Sequence, residues 1–456
     1  MNGGGRARIL IGMPTDIALR AFVESGAMLE LADRYDLFGF KTEGVLGGFP
    51  EASGIRDAGV VAWAPWRDRI RYHLSELSIF AGRSRTAVMR AKTKLIGGRR
   101  GLLFSALGRR GVYELVDALA EGLVGRVVAI DAMLERTAPD AVIIPYGGLN
   151  SFTIDVLKSA HRQRVPVIML NYNWDNVGSK GLLPRWPDVL CVWGEDMARL
   201  AQHVFRLPSD RLPVIGAAHF EHYFDPERMD AAAAEAARLV EDGIPRLLFA
   251  GGSRGHAEVP YLEQLEAAIE DGRLPRIRVI YRPHPWRDAR RERNFYDVGF
   301  KHVEMDPQLA GRFTPETINR NWPGKAKATY APALSYYPVL LQSVSAIITP
   351  LSTLSLEAAL VGQPILAMAG FEEEWLKRSL DTFEHIQRLR RLPGVLECRD
   401  PATFVDRVRH LLELAANPDV REELREGTRP IVYREDKTTY GQRLVGVVDE
   451  VVRSRR

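Results

Sequence analysis

Cysteine is nearly missing from this chain of 456 residues: only Cys191 and Cys398 occur, both in apolar, strand-like surroundings. Neither a disulfide framework nor a thiolate metal site is therefore expected, and a reducing, cytoplasmic setting is. Nowhere do about 18 apolar residues run together, and the apolar run near the N-terminus is too short for a secretory leader, so no membrane span is expected. Neither an Asp-x-Asp pair nor a His/Cys cluster with metal-ligand spacing occurs, so neither a metal nor a resident cofactor is expected. Acid is missing between Leu77 and Tyr113, where nine basic residues gather from Arg83 to Arg110, with Phe80, Met89, Leu102 and Phe104 among the apolar residues interleaved. That one-sidedness has two readings: a solvated basic face, or a surface for an anionic partner, a lipid headgroup layer or an acidic acceptor, peripheral to the inner face of a membrane. Aromatic residues for stacking bases are scarce there, so nucleic acid is not an expected partner.

What the chain does contain is a β-α rhythm that runs twice. The length suits two or three domains of about 150 residues. The division expected is an N-terminal Rossmann-like acceptor domain (1–217), a connector helix (218–243), a C-terminal Rossmann-like donor domain (244–432) and a terminal helix (433–456) that reaches back to the first. The fold class is α/β, two facing doubly wound domains.

In the first half, a strand from Arg8 to Met13 leads through Pro14 and Thr15 into a helical pattern that runs to Leu31. Asp16 has two readings: the N-cap of that helix, or a carboxylate at a strand's carboxyl end placed to act as a general base. Glu24, mid-helix, is a weaker competitor. A helix from Glu114 to Arg136 follows, then strands at Asp140–Pro145 and Val165–Leu170. The loop after the last strand, NYNWDNVGSKG, is dense in hydrogen-bonding groups around one aromatic. Asn173, Trp174, Asp175 and Lys180 read either as acceptor-sugar contacts or as a polar turn with Trp174 packed beneath it.

In the second half three loops follow strands of one parallel sheet and so open on the same edge. The first, GGSRGHAE, offers a backbone that glycine leaves open at Gly251 and Gly252, with Ser253 and Arg254 as donors. The second, RPHP, presents Arg282 and a His284 stiffened by flanking prolines. The third opens the stretch Ser343–Gly370, which reads strand, loop, helix, turn, strand. Its helix begins at Ser352 and Thr353, where free N–H groups and two hydroxyls suit a phosphate, and Glu357 lies one turn on, within reach of a ribose. Gly362 ends that helix. Residues 286–335 read as an irregular charged insertion, and only helices are expected from Pro401 onward.

RPHP and LSTLSLEAALVGQP resemble the His-Pro and Ser/Thr motifs of bacterial sialyltransferase and polysialyltransferase families and of CDP-glycerol glycerophosphotransferases, and the two-domain pattern resembles the GT-B glycosyltransferases over nearly the whole chain. The resemblance implies that His284, Ser352 and Thr353 contact the donor nucleotide, Glu357 its ribose, and that Asp16 is the base. The function it implies is metal-independent transfer of a sugar from a nucleotide-sugar, a substrate rather than a cofactor, to a glycan or lipid-linked acceptor in cell-surface polysaccharide or glycoconjugate synthesis. Catalysis would fall to Asp16 and His284. Donor binding would fall to Gly252, Ser253, Arg254, Arg282, His284, Ser352, Thr353 and Glu357. A nucleotide-sugar 2-epimerase, a glycerophosphotransferase and a non-catalytic nucleotide-binding scaffold at a membrane surface are the alternatives.

Overall fold

Among the described residues twelve strands form two sheets of six, and every pairing between them is parallel. The computed structural model describes residues 6–82, 84–94, 108–147, 150–240, 243–252, 257–284, 292–319, 332–369, 374–435 and 437–455. The chain divides into two units, Met1–Glu221 with Thr382–His385 and Pro430–Arg456, and His222–Asp381 with Ile386–Arg429.

The first unit holds β1 (Arg8–Met13), β2 (Asp36–Thr42), β3 (Ile55–Val61), β4 (Ala141–Tyr146), β5 (Val167–Asn171) and β6 (Val189–Cys191), in the order β3-β2-β1-β4-β5-β6. Strands β4 and β5 are buried along their whole length, which is why they read as continuous apolar runs. β3 sits at the edge, with mostly exposed or half-buried residues between its buried ends, and its pattern carries little signal. The helix expected from Asp16 to Leu31 is broken: one α-turn, Asp16–Leu19, passes into a π-helical turn, Arg20–Glu24, and a second helix, Leu29–Arg34, restarts after Gly26 at φ +83°. Gly125, at φ +69°, likewise divides the helix expected over 114–136 into Arg110–Val124 and Val128–Thr137. The last helix, Tyr440–Arg455, belongs to this unit and buries Leu444, Val448 and Val452 in its core.

Helices Pro65–Ala81 and Arg110–Val124 lie between β3 and β4 in the chain and are joined to helix Ser151–Arg162 by ion pairs. Arg71, with no exposed surface, contacts Asp117 at 3.4 Å, Glu121 at 2.7 Å and Asp155 at 3.0 Å. Lys158 contacts Asp117 at 2.8 Å and Glu121 at 2.7 Å, and Arg67 meets Asp155 at 3.2 Å. Arg67, Arg71 and Lys158 thus face three carboxylates, with Arg162 3.9 Å from Glu121 at the margin. Burial alone would raise the Glu121 pKa, but the hydrogen bonds from Lys158 and Arg71 outweigh it and hold the group below the ordinary glutamate range.

The second unit holds β7 (Arg246–Ala250), β8 (Arg278–Arg282), β9 (Val303–Met305), β10 (Ala346–Thr349), β11 (Ile365–Met368) and β12 (Val395–Cys398), in the order β12-β11-β10-β7-β8-β9. The irregular stretch read at 286–335 contains the edge strand β9 and a short helix, Pro307–Ala310. Three residues are too few for periodicity to mark a strand. Gly362, at φ +73°, does end the helix Thr353–Leu360 and turns the chain into β11.

Candidate functional site

In each sheet the strand order reverses once, and in open parallel sheets the crevice at that reversal, outside the carboxyl ends of the strands, is where ligands bind. In the second unit it lies between β7 and β10, and the segments at that edge are Gly251–Gly252 after β7, Pro283–His284 after β8 and Pro350–Thr353 after β10.

The third of these segments is a built helix start. Ser352 is the N-cap, its hydroxyl accepting from the backbone N–H of Ser355 while Ser355 Oγ accepts the Ser352 N–H at 3.0 Å. This reciprocal box holds the first turn open-ended at a set angle. One turn on, Glu357 is half-buried, and Oε2 accepts a 2.6 Å hydrogen bond from the Tyr223 hydroxyl. Burial first, and then the Glu357 charge, push the Tyr223 pKa well above the phenol range, so the hydroxyl stays a donor and the carboxylate stays oriented. Its neighbour His222 is buried, and burial with the nearby Arg228 lowers its pKa to about 4, so it is neutral at physiological pH.

The first segment differs from its sequence reading in its physical reason. Glu258, 2% exposed, accepts from the Gly252 N–H at 2.9 Å and from the Tyr281 hydroxyl at 2.6 Å, and a methyl group on Gly251 would overlap its carboxylate. Glycine at 251 makes room for a buried side chain of the protein itself. The Gly251 N–H in turn donates to the Arg282 carbonyl at 2.9 Å, tying the loops after β7 and β8 together. Gly251→Ala is accordingly expected to displace Glu258 and cost about 1–3 kcal/mol through the donors left unsatisfied; an unchanged midpoint of thermal unfolding would show that the loop absorbs the methyl group.

Arg282 is buried and pairs with Asp306; its second guanidinium nitrogen donates to the Tyr337 hydroxyl at 3.2 Å, and its charge lies 5.1 Å from the centre of the Tyr337 ring. Burial alone would weaken its basicity, but Tyr337 and Asp306 more than restore it. Asp306 also accepts the Tyr336 hydroxyl at 2.6 Å. Arg282 thus anchors the strand end from which the half-buried His284 projects. Ser253 and Arg254 lie outside the described residues.

In the first unit the reversal lies between β1 and β4. The helix after β1 is capped by Thr15, whose Oγ1 accepts from the Ala18 N–H at 3.1 Å, so the N-cap reading of Asp16 does not hold. Asp16 Oδ1 instead accepts the backbone N–H groups of Leu46 and Gly47, each at 2.9 Å, and folds the loop after β2 onto the end of β1. In the loop after β5, Asn171 Nδ2 donates to the Asn173 carbonyl at 2.7 Å and Asn176 Nδ2 to the Tyr146 carbonyl at 2.6 Å. Trp174 is 4% exposed, with its ring edge-on to His385 at 5.1 Å, as the packed-turn reading has it. Asn173, Asp175 and Lys180 are half-buried around it.

Tyr223, Glu258, Tyr281, Asp306 and His385 went unassigned in the sequence. Glu258 ends the GGSRGHAE loop and was in view; nothing local signals that Tyr223 meets Glu357 across 134 positions. Among the described residues no group of three or more His, Cys, Asp or Glu is placed to hold a metal ion, and no helix is long and apolar enough to cross a membrane.

No family model and no curated protein matches the sequence. Solved structures do match. S. aureus MnaA, in a co-structure with UDP, gives a TM-score of 0.54 at 9% identity over 98% of this chain and 97% of its own. A UDP-N-acetylglucosamine 2-epimerase gives 0.51 at 12% identity over 97% and 95%. The glycotransferase of kitacinnamycin gives 0.50 at 14% identity over 98% and 99%. At these identities the likeness is one of fold: two Rossmann-like domains of the GT-B kind.

Proposed function

We propose that the second unit binds the nucleotide of a nucleotide-sugar and that the protein is a glycosyltransferase passing that sugar to a glycan or lipid-linked hydroxyl. The observation that carries this reading is the start of helix Thr353–Leu360: a boxed N-terminus at the sheet's reversal point, followed one turn later by a carboxylate that Tyr223 holds in place. A helix start favours a diphosphate by charge and by its open N–H groups. A carboxylate about 5–6 Å further along the same face accepts ribose hydroxyls.

In this proposal Ser352, Thr353, Gly252, Ser253 and Arg254 contact the phosphates, Arg282 sets the loop, and His284 stabilises charge on the leaving diphosphate. Asp16 takes the proton from the acceptor hydroxyl, with Asn173, Asp175 and Lys180 holding the acceptor and Trp174 shaping the loop beneath them. The protein works at the inner face of the membrane. UDP is the first nucleotide to try, because it is what the S. aureus neighbour carries.

The test is thermal unfolding with CMP, CDP, UDP, GDP and ADP. One nucleotide is expected to stabilise the second unit, by about 2.7 kcal/mol at a hundred times its Kd. Glu357→Ala is expected to lose that shift, and Tyr223→Phe to weaken affinity about ten- to a hundredfold, since a hydrogen bond to a charged group is worth about 1.5–3 kcal/mol. No shift with any nucleotide would sink the proposal. Turnover of the matching nucleotide-sugar to its epimer without acceptor would make the protein a 2-epimerase, and transfer of a phosphate together with its alcohol to the acceptor, with release of nucleoside monophosphate, a glycerophosphotransferase.

A further inference from the structure

Helix Arg110–Val124 holds two acids inward while a row of its leucines faces solvent. Its inward positions include Tyr113, Asp117 and Val124, and the acids Asp117 and Glu121 are held by Arg71 and Lys158. Its outward leucines, Leu115, Leu119 and Leu123, are 60%, 65% and 82% exposed. Spaced four residues apart, they form one row along the helix. The other exposed positions between Gly111 and Leu123 are small, apart from Glu114 near the N-terminal end.

An isolated helix with this sequence would bury the leucines and expose the acids, because burying apolar surface is favourable and burying unpaired charge is costly. Here the ion network inverts that preference. The leucine row is therefore a surface the fold holds outward, beyond the scatter of single exposed leucines expected on any protein. Arg109 and Arg126, both exposed, bracket the row, and the nine basic residues of 83–110 lead into it without one acid. On the helix packed alongside, Trp66 and Tyr72 are about half exposed.

From this arrangement we infer that helix Arg110–Val124 is the element that docks the first unit on an anionic lipid bilayer. It lies in the headgroup plane with Leu115, Leu119 and Leu123 among the upper acyl chains and the bracketing Arg109 and Arg126 at the phosphates. Charge complementarity selects this occupant: an apolar row bracketed by arginines and preceded by an acid-free basic run matches a negatively charged interface. The helix, about 22 Å long at 1.5 Å per residue, is too short to span and the right length to lie flat. The inference extends the membrane-surface part of the proposed function and is independent of its nucleotide chemistry.

The test is flotation of the full chain with phosphatidylcholine vesicles, with and without phosphatidylglycerol, at low and high salt. Binding is expected only to the anionic vesicles, and less of it as salt rises. The triple change Leu115→Gln, Leu119→Gln, Leu123→Gln, which keeps good helix formers on the exposed face, is expected to lower partitioning about tenfold or more. Its thermal midpoint and any nucleotide-induced shift are expected to match the unaltered protein, which separates this inference from the donor-site reading. Leu119→Trp is expected to bind at least as well, with a blue-shifted emission in the presence of anionic vesicles. Equal flotation of the triple variant would overturn the inference, as would absence of binding by the unaltered protein. So would concentration-dependent self-association that the triple change abolishes, since the row would then belong to a second copy of the chain.

Discussion

Asp16→Asn is expected to lower turnover by at least about a hundredfold while leaving the thermal midpoint unchanged. Positioned general bases contribute about 10²–10⁴ to rate. The geometry makes asparagine a clean probe, because the structural task of Asp16 uses one oxygen, Oδ1, which accepts from Leu46 and Gly47. Asparagine supplies that oxygen and removes only the basicity. Asp16→Ala takes away both, so it is expected to lose activity and also to release the loop after β2, with a lower midpoint. Activity is read as nucleotide released in the presence of acceptor. If the asparagine variant turns over at the normal rate while alanine destabilises, Asp16 is a loop staple. The base then has to be sought at Asp175, or at Glu24 in the π-helical turn.

Arg71→Met is expected to be the most damaging single change to stability in the first unit. It leaves Asp117, Glu121 and Asp155 without their most buried cation, facing Lys158 and Arg67 with Arg162 3.9 Å from Glu121 at the margin. Removing one partner from a buried ionic cluster costs about 3–5 kcal/mol. At about 2–4 °C per kcal/mol for a unit of this size, the midpoint falls by about 10 °C. Adding Glu121→Gln to this variant restores the charge balance and is expected to recover part of the loss, a coupling that a double-mutant cycle measures.

The same cluster makes stability depend on pH. Glu121 has a lower pKa folded than unfolded, so its contribution is complete above the ordinary glutamate pKa and is lost as pH falls through the lower folded value. Midpoints measured from neutral pH into that acid range should decline in the unaltered protein, and less so once Arg71 no longer holds the carboxylate. Unchanged stability in Arg71→Met would mean that water or a neighbouring chain segment replaces the guanidinium, and the fixed rotation of helix Arg110–Val124 would lose its explanation.

Much of the architecture was legible locally. Strands β1, β4, β5, β7, β8, β10 and β11 are apolar runs ending at loop signals, and two successive series of them, with helices between, dictate two parallel α/β sheets. The reversal-point edge and the helix start at Ser352 follow from that order, since strand direction alone places those loops. Three of the edge strands were not legible: β9 and β12 are three and four residues long, and β3 is mostly uncovered between its buried ends. An edge strand is specified by its neighbour more than by its own pattern.

The partners of the charged groups were decided only in three dimensions. The text of the chain contains Tyr223, Glu258, Arg71 and Glu121, but whether a carboxylate is a ligand contact, a loop anchor or half of a buried pair depends on what lies within about 3 Å of it. Glu357 is oriented by the Tyr223 hydroxyl, which lies 134 positions away in the chain. Trp174 is a packed residue because His385, more than two hundred positions away in the chain, lies against its ring. Helix Arg110–Val124 shows the division most plainly. Its period and its amphipathic pattern are written in the sequence, yet which face is turned inward is set by Arg71 and Lys158 from two other helices. Periodicity is a property of neighbours along the chain, whereas the sign of a helix's buried face is a property of its surroundings.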